Sequence, residues 1–180
     1  LEFRRVLFRS LTAKQKLGVH GPNFLPKVSF LDPTWTFSVN RYQTAAGSAD
    51  IMSHLIENYF STTENTDVQD GIAEGLLKAV ITNLPIALDT PDDYDARANL
   101  MWASTLALNG LTGSGKAGAW SCHPMEHELS AFYDITHGIG LAILTPRWML
   151  HVLNETTAPK LARFAREVFQ VEEAVPEMRS

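Results

Sequence analysis

Residues 121–149, SCHPMEHELSAFYDITHGIGLAILTPRWM, hold the pattern from which the fold is read most directly. Apolar side chains recur at helical spacing over 125–133 and again over 139–153, which predicts two consecutive helices. Pro124 is tolerated in a first helical turn, so the first of them can begin or kink beside His123. Gly138 and Gly140 permit close backbone approach at the start of the second, next to His137. Working outward, 159–169 continues the helical series. Upstream, Thr44 is a plausible cap for a helix whose apolar side carries Ala49, Met52, Ile56, Tyr59 and Phe60. The segment 67–84 repeats Ile72, Leu76, Val80 and Leu84, and Asp92 caps a third helix with Leu100, Ala103, Leu106 and Leu108 on its core face. Before these, 11–40 is mixed and strand-like. Val28, Phe30 and Leu31 form a short apolar run closed by Asp32-Pro33, with Gly18, Gly21 and Pro22 punctuating the approach. The fold class expected is mainly α: a helical domain preceded by a short strand remnant of an α/β domain.

Composition bounds the partners. The chain has 180 residues, 45% of them hydrophobic, a net charge of −5 and a single cysteine. Acidic balance without a basic run disfavours nucleic acid. A lone cysteine cannot form an internal disulfide and fits a reducing, cytoplasmic home. No apolar run in the sequence approaches the roughly 20 residues that span a bilayer, so no membrane is expected. Residues 1–10, LEFRRVLFRS, match the translation of a sequencing-library adaptor codon for codon and are read as a scar. Setting them aside leaves a charge of −7 and predicts that the chain begins inside a longer gene.

The histidines carry the chemistry. Asp50 and His54 stand at i and i+4, on one helix face. His123 and His127 repeat the spacing, and His137 follows Thr136. Three imidazoles with one carboxylate suit a divalent first-row metal, provided that they converge in space. Glu126, Glu128 and Asp134 are candidate acceptors for imidazole N–H groups, or else ordinary solvated charges. Gly110 to Lys116 imitates a phosphate loop, but Ala117 replaces the Ser or Thr that such a loop needs, and a helix precedes it. A helix end with Gly110 or Gly113 just past it is the simpler reading. Cys122 reads as a small buried hydrophobe. Trp102, Trp120 and Trp148 read as core, while His20 and His151 have no partner at ligand spacing.

TAAGSADIMSHLIENYF (44–60) and the 121–149 segment together resemble the iron-containing alcohol dehydrogenase family, nearest its NADPH-dependent butanol dehydrogenase branch. FLDPTWT (30–36) and ARANLMWAS (96–104) match as well, and the likeness covers 12–170. It implies a dehydroquinate synthase-like/iron-containing alcohol dehydrogenase fold, with 11–40 the end of a dinucleotide-binding α/β domain. It further implies that 41–180 is an all-helical metal domain, truncated at its carboxyl end. Asp50, His54, His123 and His137 would be the metal ligands, for Fe²⁺ or Zn²⁺. His127 would lie near substrate and nicotinamide, and Lys16 and Trp35 would line NADP(H) or NAD(H). The parent is then expected to be a homodimer that interconverts small alcohols such as butanol with their aldehydes, while the fragment alone should not turn over. Two rivals remain at this stage: a metal-dependent hydrolase using the same ligands on water, and a noncatalytic helical module.

Overall fold

The computed structural model describes residues 5–10, 12–20, 26–118 and 120–171. Residues 1–4, Gly21, Pro22 and the side chain of His20, all invoked above, lie outside that set. Two strands, β1 (Arg5–Ser10) and β2 (Gln15–His20), pair antiparallel with Ser10 opposite Gln15 and Arg9 opposite Lys16. The decapeptide read as a scar therefore supplies all of β1. Strand pairing needs only backbone donors and acceptors, so it is silent on where those residues came from. The strand expected at 28–31 is not formed. Val28 and Phe30 are exposed, and the chain runs instead into a short 3-10 turn at Pro33–Thr36, capped by Asp32. Among the described residues no strand pairs with it, and an apolar run without a partner has no ladder to join.

Among the described residues six α-helices follow: α1 (Arg41–Tyr59), α2 (Asp67–Asp89), α3 (Tyr94–Leu108), α4 (Cys122–Tyr133), α5 (His137–Val152) and α6 (Ala158–Phe169). Helix α1 is the axis of the packing, in contact with α2, α3 and α5. It begins at Asn40, not Thr44: the Asn40 carboxamide accepts from Gln43 N–H at 2.9 Å, while Thr44 is buried and takes a hydrogen bond from Arg97. Helix α3 is likewise capped one residue later than expected, by Asp93, which accepts from Ala96 N–H at 2.8 Å. Both shifts swap one good capping residue for another nearby.

Helix α2 runs past Pro85 to Asp89, beyond the expected end at residue 84. Ala87 in that last turn is buried among Val80, Ala96, Leu100 and Ala103, and this packing holds the helix across the missing N–H. Its buried stripe is Ala73, Leu77, Val80 and Ala87, offset from the predicted one. A strict four-residue repeat drifts about 40° per step around a 3.6-residue helix, so the true stripe alternates threes and fours. A second apolar cluster joins Leu55, Ile56, Tyr59, Leu77, Ala107 and Phe164.

By length and composition α2 is apolar enough to cross a membrane, which the sequence reading did not register. In this fold it carries buried Asp70, whose carboxylate meets Lys116 Nζ at 2.5 Å and Lys160, and Glu74, which accepts from Tyr59 and Arg163. These paired charges lie where α2 packs against its neighbours α1, α3 and α6. Lys116 is thereby accounted for. The 110–116 stretch is a helix end with Gly110 just past α3 at φ 93°, as its simpler reading held.

Candidate metal centre

Four of the predicted residues converge. Asp50 lies near the middle of α1 and His54 one turn on; His123 stands in the first turn of α4, and His137 opens α5. The Asp50 Oδ1 atom is 3.5 Å from His54 Nε2, 3.5 Å from His123 Nε2 and 3.6 Å from His137 Nε2. The donor atoms of Asp50, His123 and His137 all lie within 4.8 Å of one another. Two glycines bring α5 this close. A Cβ on Gly138 would stand 1.8 Å from the Ala46 carbonyl oxygen on α1, and one on Gly140 would stand 2.7 Å from Glu126 Cγ. Here the close approach inferred from those glycines is the contact that delivers His137.

Each imidazole is aimed. His123 Nδ1 is bonded to Glu57 and His137 Nδ1 to Glu126, so both rings turn Nε2 toward Asp50. Glu126 is thus one of the three acceptors foreseen, whereas Glu128 and Asp134 are exposed, Asp134 as the left-handed cap of α4. Glu57 was missed. The available signal was its place three residues after His54 and seven after Asp50, on the same helix face. Lys16 reaches in from β2, its Nζ donating to Glu126 at 3.1 Å and Ser130 at 3.0 Å and lying 3.1 Å from His137 Nδ1.

Burial alone would raise the Asp50 carboxyl, but His123 beside it and the charges of the surrounding imidazoles hold it below the usual range. Burial, reinforced by His123, pushes His54 down to about 3. The same burial opposes a proton on His123, yet the adjoining Asp50 and Glu57 carboxylates outweigh it and lift that group to about 9. Asp50, Glu57 and Glu126 carry three negative charges, which Lys16 and a protonated His123 offset in part. The net charge of the cluster is therefore negative, which suits a cation that displaces the His123 proton.

The donors fit such an ion. Asp50 Oδ1, His123 Nε2 and His137 Nε2 are buried and make no hydrogen bond. Bonds of about 2.0–2.2 Å to a tetrahedral ion set ligand-to-ligand edges of about 3.3–3.6 Å, and all three Asp50 separations fall there. A cavity of about 180 Å³ opens on Asp50 and His54, walled by Val39, Ile51, Leu100 and Met101.

The remaining predicted residues are placed differently. His127 is buried one turn beyond His123, its ring 5.4 Å from that of His137. Trp35 stands 82% exposed on the 3-10 turn. Trp102 and Trp120 are exposed rather than core; Trp120 leans on His54 at 5.2 Å and His123 at 4.9 Å, because α4 starts just beyond it.

The sequence profile of the Fe-containing alcohol dehydrogenase family, C-terminal, matches residues 44–179, which takes in every donor just described. The chain belongs to the iron-containing alcohol dehydrogenase family. Among relatives, the NADH-dependent butanol dehydrogenase A of Clostridium acetobutylicum is 56% identical over 163 residues, covering 91% of this chain and 42% of that protein. The NADPH-dependent aldehyde reductase YqhD of Escherichia coli is 36% identical, over 93% of this chain and 43% of its own. The crystal structure of YqhD matches with a TM-score of 0.90 at 34% identity, over 96% of this chain and 44% of that one. NADH-dependent butanol dehydrogenase A from Thermotoga maritima gives 0.89 at 39%, over 96% and 43%. The butanol dehydrogenase likeness read from the sequence is thus found, with NADH in the names of both of these butanol dehydrogenases. The chain spans less than half the length of these family members.

Proposed function

We propose that the protein carrying this chain is a metal-dependent, NAD(P)H-linked alcohol dehydrogenase or aldehyde reductase for small primary alcohols such as butanol. The observation that carries the reading is the convergence of one carboxylate oxygen and three imidazole Nε2 atoms on a buried point. Residues 41–180 are the metal-holding domain, and 11–40 belong with a dinucleotide-binding domain.

Asp50, His54, His123 and His137 would hold Fe²⁺ or Zn²⁺, both of which accept imidazole and carboxylate. When bound, the ion supplies Lewis acidity toward the substrate oxygen, and NAD(H) or NADP(H) supplies or accepts the hydride. The apolar wall of Val39, Ile51, Leu100 and Met101 receives the alkyl chain. Cavities of about 150 Å³ admit a molecule the size of benzene, so this one has room for a short chain beside Asp50. His127, buried beside His137, takes the alcohol proton on oxidation and returns one on reduction. Lys16 and Trp35 border the coenzyme side. The Asp50 and Glu126 carboxylates keep their charge through the buried network. A hydrolase reading finds less support, since the relatives named above are oxidoreductases by name.

The test measures bound metal by mass spectrometry for the wild type and His123→Ala. It also follows NADH and NADPH oxidation with butanal in a full-length protein bearing this sequence. A single ion per wild-type chain, its loss in the variant, and coenzyme oxidation are expected. A wild type that binds no metal and leaves both coenzymes untouched across several aldehydes refutes the proposal.

A further inference from the structure

Glu57 stands at the junction of two structures that must be aligned for the centre to form. Its side chain is buried, 2% exposed, and its two oxygens do different things. Oε1 accepts from the backbone N–H of Ser121 at 2.7 Å and of Cys122 at 2.6 Å, with His123 N–H at 3.4 Å. These are among the N–H groups that a helix leaves unsatisfied at its start, and the Ser121 side chain makes no cap bond of its own to them. Oε2 is bonded to His123 Nδ1. One carboxylate on α1 therefore ends α4 and grips the ring that α4 presents.

We infer that Glu57 is a positioning residue that keeps the proton of His123 on Nδ1, and so its Nε2 lone pair free to ligate, while capping the helix that carries it. The inference rests on the metal reading above. Its logic is that of donor and acceptor roles. A carboxylate has only acceptors, so Nδ1 must be a protonated nitrogen, and the proton that an incoming cation displaces is the one on Nε2, whose lone pair then faces Asp50 and the ion. A glutamine at 57 cannot do both jobs. With its carbonyl on the Ser121 and Cys122 N–H groups, its NH₂ faces His123 Nδ1 and calls for an acceptor there, which moves the ring proton to Nε2 and blocks ligation. The reverse orientation sets an NH₂ group against two backbone donors. The first orientation keeps more hydrogen bonds, so the tautomer changes.

The experiment uses the full chain with Zn²⁺ alone as probe. Titration calorimetry should show Glu57→Gln binding Zn²⁺ about 10–100-fold more weakly than wild type. Glu74→Gln, which disturbs a buried carboxylate that bonds Tyr59 and Arg163 rather than a donor imidazole, should keep the wild-type affinity even where it loses thermal stability. Long-range ¹H–¹⁵N spectra of Zn²⁺-loaded wild type should show His123 protonated at Nδ1, an observation that needs no variant to fold. Equal Zn²⁺ affinity in Glu57→Gln, or His123 ligating through Nδ1, overturns the inference while leaving the metal reading standing. A wild-type chain that binds no Zn²⁺ overturns both.

Discussion

Replacing Gly138 with alanine probes whether helix contact or residue type builds the centre. The added Cβ would stand 1.8 Å from the Ala46 carbonyl oxygen, 2.6 Å from its carbon and 3.1 Å from its Cα. All three are backbone atoms of the buried central helix, so no side chain can swing aside. Ordinary contact begins near 3.4 Å, and α5 must therefore withdraw by about 1.5 Å at its first turn. His137 is the neighbouring residue, and its Nε2 is 3.6 Å from Asp50 Oδ1. A metal site tolerates about 0.2 Å in its bonds, so a retreat of that size removes His137 from any shared ion. Overpacking of this kind costs about 1–3 kcal/mol, and at about 2–4 °C per kcal/mol for a chain of this length the melting temperature should drop by roughly 2–12 °C. Calorimetry of Gly138→Ala should show that drop together with Zn²⁺ binding weakened by at least about tenfold. Wild-type melting and wild-type affinity together would refute the claim that the α1–α5 contact sets His137.

Other outcomes follow from the same structure. Gly75→Ala, where an added Cβ meets nothing within 4 Å on an exposed face of α2, should stabilise the fold by about 1 kcal/mol in urea melts. Asp70→Asn leaves Lys116 and Lys160 without their carboxylate and should cost about 3–5 kcal/mol at pH 7. Burial alone would raise the Asp70 carboxyl, but the two lysines hold it below the usual range. A lowered folded value means that the stabilisation is complete above about pH 4, the range of an unfolded aspartate, and is lost as pH falls through the folded value. The gap between wild type and variant should therefore narrow between pH 5 and pH 2; an unchanged gap contradicts the assignment. Cys122 is buried, and burial with the nearby Glu57 charge pushes its thiol up to about 11. Iodoacetamide at pH 8 should leave it unmodified in the native chain and alkylate it in urea, and rapid native labelling would show that α4 does not pack as described.

Legibility differed by element for physical reasons. Helix existence was readable because apolar spacing is a local property, and the six helices all formed. Their ends were less so. Asn40 and Thr44, or Asp92 and Asp93, are chemically equivalent as caps, and only the burial of Thr44 against Arg97 decides the first pair. The strand expected at 28–31 failed because a strand is a relation between two segments, and an apolar run is no evidence of a partner. Within the centre, Asp50, His54, His123 and His137 were visible as donor types at suggestive spacing. Glu57 was not, because a buried acidic residue on a helix looks the same in sequence as a solvated one.

By itself the sequence settled which atoms were available: imidazoles and a carboxylate at i, i+4 on helices, small residues beside His137, one thiol, and an acidic balance. Folding settled which of them meet. Asp50 becomes common neighbour to three rings only because Gly138 lets α5 touch the backbone of α1, and because Glu57 fastens the start of α4 to the same helix. It also turns Lys16 inward from β2 to Glu126, more than a hundred residues away in the chain. Local spacing encodes the face of a helix, but where two faces cross is set by the shape of both surfaces, and no single stretch of sequence contains that.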